Sequence, residues 1–171
     1  MLDFLFRRLT AEPNRGAELF ATVTKIAREP HWYVEGTVPD TLDGRFAVLA
    51  TVAALVIVRL EQEGAEGDLL SVALTERFVE VMESEHRELG LGDPTLGKKV
   101  RKLVGSLARR IALWRSATQD EASWPTAARE SLYKATVSPD PLEHSAEALE
   151  RLWTRLQRTP VSEIGEGKIE A

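Results

Sequence analysis

Residues 46–58 read FAVLATVAALVIV, thirteen positions without a charged side chain, closed by Arg59 and Glu61. This run limits the possible folds more than any other feature. A helix that is apolar on every side has no face to offer water, so other elements must wrap it. It is also too short for a bilayer, which needs about 20 apolar residues. The run therefore predicts a helix buried at the centre of a protein core.

The rest of the chain supplies the wrapping. Apolar residues recur with a period near 3.6 almost throughout, no segment alternates with period 2, and Gly and Pro fall between the periodic stretches. The pattern predicts helices at about 14–28, 40–63, 68–89, 96–117 and 123–136, and a sixth from the Pro139–Pro141 break to about Arg158. Asp40 or Thr41 can cap the second, Asp68 the third, and Asp93 or Thr95 the fourth. The fold class is all-α: one compact helical domain of five to seven helices, over residues 14–158. A short amphipathic segment, 1–13, precedes it. A C-terminal tail, 159–171, follows and can either lie on the body or fray.

A chain of 171 residues suits one domain. It contains no cysteine, which removes disulfides, thiolate metal sites and thiol nucleophiles and fits a reducing compartment. The opening MLDFLFRRLT, with Asp3 inside a short apolar piece, does not read as a secretory signal.

Charge is unevenly distributed. The net charge is −5, yet Lys98, Lys99, Arg101, Lys102, Arg109, Arg110 and Arg115 all fall on the fourth helix, with no acid between Pro94 and Gln119. On a helical projection Leu96, Val100, Leu103, Val104, Leu107, Ile111 and Trp114 share one arc, and the cations flank or oppose it. Two readings are open. The cations can lie against the acids of 61–93, a stretch with ten carboxylates and only two arginines. Alternatively they form a docking surface for an acidic partner segment or for phospholipid. Nucleic acid is disfavoured by the overall acidity and by the absence of exposed aromatics among the cations.

Other signals are weaker. Glu83 and His86 make a Glu-x-x-His step, but there is no second copy, and a helix-surface pair is expected rather than a metal site. His31, Trp32 and Tyr33 read as a packed corner. His144 stands near a helix start with nothing to activate. The glycine-rich stretch from Gly90 to Gly97 reads as a helix-to-helix turn rather than a phosphate loop. In DTLDGRF, Asp43 sits in a first helical turn, where the dipole favours acids, and Gly44 suggests close approach of another group. Leu2, Phe4, Leu5 and Phe6, beside Arg7 and Arg8, form a candidate membrane contact.

Four stretches recur in the order of a known family: REPHWY at 28–33, VPDTLDGRF at 38–46, GLGDPTLGKKVR at 90–101 and ARESLY at 128–133. Over residues 16–135 the chain resembles the ubiquinol–cytochrome c chaperone family. The resemblance implies an all-helical, non-enzymatic assembly factor for respiratory complex III whose client is newly made cytochrome b. Partner-binding residues are then expected among His31, Trp32, Tyr33, Asp40, Asp43, Arg45, Lys98, Lys99, Arg101 and Lys102. No catalytic residue, cofactor, metal, nucleic acid or small-molecule substrate is expected. The expected location is cytoplasmic, with peripheral contact at the inner face of the cytoplasmic membrane. The alternative from another class is a peripheral module that binds anionic lipid.

Overall fold

The computed structural model describes residues 13–90 and 92–169. Its elements are α1 (Pro13–Ala27), α2 (Leu42–Leu60), α3 (Gly64–Glu88), α4 (Asp93–Ala117), α5 (Trp124–Leu132), α6 (Pro139–Arg158) and the one-turn α7 (Val161–Gly165). Short 3₁₀ turns stand at Pro30–Trp32, Glu61–Glu63 and Glu121–Ser123. The fold is all-α, and no strand occurs among the described residues.

The apolar run is the central helix. α2 packs against α1, α3, α4, α5 and α6. From Ala50 to Leu60 every residue is buried, including Thr51, whose hydroxyl is satisfied by the Ala47 carbonyl at 2.7 Å. Four alanines, Ala47, Ala50, Ala53 and Ala54, keep the helix slim enough for neighbours on all sides to approach. Arg59 closes the run without reaching open water: its Nε donates to the Leu156 carbonyl at 2.9 Å and its Nη1 pairs with Glu63.

The entry to α2 is fixed by local chemistry. Thr41 is the cap, its hydroxyl accepting from the Gly44 N–H at 3.2 Å. A Cβ on Gly44 would stand 1.8 Å from the Pro39 carbonyl oxygen, so the close approach suggested by the glycine is one of backbone on backbone.

Several boundaries differ from the sequence expectation. α3 starts at Gly64, four residues before Asp68, because the 3₁₀ turn at Glu61–Glu63 leads directly into it. α5 ends at Leu132, where Tyr133 turns extended and its hydroxyl reaches the Gly36 carbonyl (2.6 Å) and Ser145 Oγ (2.7 Å). The segment beyond Thr159 lies on the body. α7 packs on α1 and α3, Ile164 is fully buried, and the Thr22 hydroxyl donates to the Gly167 carbonyl at 2.7 Å.

Candidate functional site

The last turns of α1 and α3, the first turns of α2 and the N-terminal half of α4 do not close on one another. They leave a groove of about 590 Å³. Phe20, Phe46, Leu49, Met82 and Leu103 supply its apolar lining, and exposed Leu42 and Leu89 stand at its edge. Its charged lining comprises Arg28, Arg45 and Lys99 together with Asp43, Glu85 and Glu88. A second hollow of about 450 Å³ continues from it, sharing Asp43, Phe46, Lys99 and Leu103 and adding Lys102, Arg109, Arg110 and Lys134. Together they form an elongated trough between α4 and the start of α2.

The seven cations of α4 divide into two groups. Arg115 is paired with Glu61 through two bonds of 2.9 and 3.0 Å, so the acidic stretch does neutralise this one. Arg110 is turned inward. It donates to the Ser131 carbonyl at 2.7 and 3.1 Å and lies over the Phe46 ring. Burial, aided by neighbouring Arg109, pulls its pKa down to about 10. Lys98, Lys99, Arg101, Lys102 and Arg109 have no carboxylate within 4 Å among the described residues. α3 keeps its own pair, Arg77 with Glu80, and its remaining acids do not cross to these five.

The start of α2 carries two ion pairs. Arg45 holds Asp40 at 2.6 Å, and Lys134 holds Asp43 at 2.7 Å. The hydrogen bond from Lys134, then its charge and those of Lys99 and Lys102, keep the Asp43 carboxyl below its ordinary range. Arg45 does the same for Asp40.

The aromatic corner is split by the structure. Tyr33 faces the groove and donates to the Ala27 carbonyl at 2.8 Å; burial raises its pKa. Trp32 is buried, its Nε1 donating to the Ile26 carbonyl at 2.8 Å, as a packed corner requires. His31 points to a different cleft of about 810 Å³, with Glu29, Glu147, Arg151 and Arg155. There its Nδ1 lies 3.1 Å from Nε2 of His144 and its Nε2 lies 3.1 Å from Glu29. Of the ten partner-binding candidates, then, Tyr33, Asp43, Arg45, Lys99 and Lys102 line the trough. Asp40 supports Arg45, and Lys98 and Arg101 stand exposed on the outer face of α4. Leu2, Phe4, Leu5, Phe6, Arg7 and Arg8 lie outside the described residues.

Sequence reasoning missed two things. His144 is not isolated, and Glu83 and His86 are not a surface pair: Glu83 is exposed while His86 is buried and lines the groove. A helical projection of α3 that put His86 on the stripe of Leu74, Phe78 and Met82 would have found it. Among the described residues no group of three or more His, Asp or Glu side chains is arranged to hold a metal ion. No helix among them is long and apolar enough to cross a membrane.

The sequence profile of a family described as ubiquinol-cytochrome C chaperone matches residues 35–171. The match begins later than the stretch at 28–33 and runs on through α6 and α7. No curated protein sequence matches the chain. The crystal structure of the Cbp3 homolog from Brucella abortus superposes with a TM-score of 0.79 at 23% identity, covering 99% of this chain and 96% of that one. At that identity the likeness is one of fold.

Proposed function

Since the chain belongs to the ubiquinol–cytochrome C chaperone family, we propose that it is a non-enzymatic assembly chaperone for respiratory complex III that holds newly made cytochrome b in the trough beside α4. The observation that carries this reading is the juxtaposition of a trough lined by Phe20, Phe46, Leu49, Met82 and Leu103 with Lys99, Lys102 and Arg109, which have no carboxylate within 4 Å among the described residues, and with exposed Lys98 and Arg101 on the outer face of the same helix. A membrane protein that has not yet inserted exposes apolar helical segments, and an apolar groove shields such a segment from water. Unpaired cations on the lip attract acidic flanks of the client and speed its capture. The protein would then work on the cytoplasmic side, at the inner face of the cytoplasmic membrane.

The test is co-precipitation of newly synthesised cytochrome b by the chain carrying Lys98→Glu, Lys99→Glu, Arg101→Glu and Lys102→Glu together. Recovery is expected to collapse at an unchanged melting temperature. Undiminished recovery removes these residues from the client site. Deleting the gene in its host is expected to lower the b-type haem absorbance of the membranes, and normal complex III there refutes the assignment.

The same unpaired cations favour a second reading, a module bound to anionic lipid, at about 1 kcal/mol per cation near a charged leaflet. Flotation with anionic vesicles at low salt tests it, and a protein that stays at the bottom of the gradient excludes it.

A further inference from the structure

His86 stands near the end of α3, only 6% exposed, in the wall of the groove with Phe20, Phe46, Leu49, Met82 and Leu103. Its Nδ1 lies 2.7 Å from the Met82 carbonyl one turn back. A carbonyl only accepts, so Nδ1 carries the hydrogen, and in the neutral ring Nε2 presents a lone pair. Nε2 has no partner among the described residues and keeps solvent contact, unlike Thr24 Oγ1, which is fully enclosed. Besides the exposed carboxylates of Asp43, Glu85 and Glu88, the groove thus offers the neutral imidazole of buried His86 as an acceptor in a wall shared with Phe46 and Met82. A wholly apolar segment seated there would strip water from Nε2 and give nothing back, which is costly.

We propose that the groove selects an apolar helical segment of a client protein bearing a side-chain N–H or O–H donor opposite His86 Nε2, with an acidic residue on the flank that meets Lys99. This rests on the groove being the client site. The occupant is a chain segment because the trough is elongated, its two hollows joined through Asp43, Phe46, Lys99 and Leu103. The donor is a side chain (Ser, Thr, Asn, Gln, Tyr or Trp) because a helix consumes its own main-chain N–H groups beyond the first turn. The acidic flank follows from Lys99, half-buried beside the groove, whose charge reaches Asp43 but which has no carboxylate within 4 Å among the described residues, so that an acidic client residue can take the place Asp43 fills in the free chain. His86 is then a specificity-determining residue: it rejects segments that are merely greasy.

The experiment places a photoreactive benzoylphenylalanine at exposed Leu89, on the groove edge, in the full chain. Cytochrome b translated in vitro is the probe. With His86 intact, the client should crosslink. His86→Leu should weaken capture about tenfold, because the client's donor is left without a partner. His86→Gln puts an amide oxygen near the position of Nε2 and should stay within about threefold of the parent. Equal capture by His86→Leu and the parent overturns the proposal, as does His86→Gln falling as far as His86→Leu while both melt normally. Nitrogen-15 spectra of the unmutated imidazole keep the test independent of folding. Adding a peptide of the crosslinked segment should move the Nε2 resonance and leave Nδ1 in place, and a static Nε2 overturns the inference. A client that binds but never crosslinks from Leu89 overturns the groove reading itself.

Discussion

The ammonium of Lys134 lies 2.7 Å from the carboxylate of Asp43, a residue 91 positions away in sequence. The pair ties the segment after α5 to the first turn of α2, where the two hollows of the trough meet. Both side chains are largely exposed, so the bond contributes little stability and can open when another anion arrives. Asp43 is therefore the domain's own occupant of a cationic corner built by Lys99, Lys102 and Lys134.

Removing that occupant should leave the fold intact and strengthen anionic binding. Asp43→Asn is expected to change stability by less than about 1 kcal/mol, while client capture rises and becomes more sensitive to salt. Lys134→Met should raise the Asp43 carboxyl pKa toward its ordinary 3.8 in a carbon-13 NMR titration. An Asp43 titration that does not move shows that Lys134 is not what depresses it.

The two kinds of α4 cation should separate in thermal denaturation. Arg110→Met strands the Ser131 carbonyl and is expected to cost about 1–3 kcal/mol. Lys98→Ala or Arg101→Ala, at exposed positions without ion pairs, should stay within about 0.5 kcal/mol of the parent. Only the latter two should reduce client capture without a stability change.

Glycines provide a packing test. Gly44→Ala forces a methyl group against the Pro39 carbonyl and should lower stability by about 1–3 kcal/mol. Gly105→Ala, inside α4 with nothing within 4 Å of the added carbon, should raise it by about 0.5–1 kcal/mol. Melting curves of the two variants should therefore move in opposite directions.

His31 should give stability a slope in mildly acidic solution. Burial is the main cause of its lowered pKa, opposed by Glu29 and reinforced by His144 and Arg151. Folding thus favours the neutral ring. Above the ordinary value of 6.5 both folded and unfolded chains carry it neutral, and His31 adds no slope. Below 6.5 the unfolded chain takes up a proton that the folded one resists, so stability falls as pH drops, until the folded ring also titrates. His31→Phe should flatten that part of the curve in chemical denaturation between neutral and acid pH. An unchanged slope would assign it to other groups. Trp32 fluorescence reports the same event, its ring lying 4.3 Å from that of His31.

Much of this architecture is legible without coordinates. The run from Phe46 to Val58 forces a wrapped central helix, because no face of it can meet water. The 3.6-residue stripes place α1, α4 and α6 within a few residues, Gly90 marks the turn before α4, and Pro94 falls in its first turn. The short motifs around Asp40 and Lys98 carry the family. These are local patterns, decided by dihedral limits and by the spacing of apolar side chains.

What the chain order does not encode legibly is how far each helix rotates about its axis and at what angle it crosses its neighbours. Those two quantities turn His31 away from Tyr33 and toward His144, and they bury Arg110 while leaving Lys102 in the trough. They bring Arg115 to Glu61 but leave Lys98 and Arg101 unmatched, and they aim His86 into a groove rather than at solvent. Each depends on contacts between residues tens of positions apart. Such contacts are settled by the joint packing of side chains from several helices, which no single helical stripe determines.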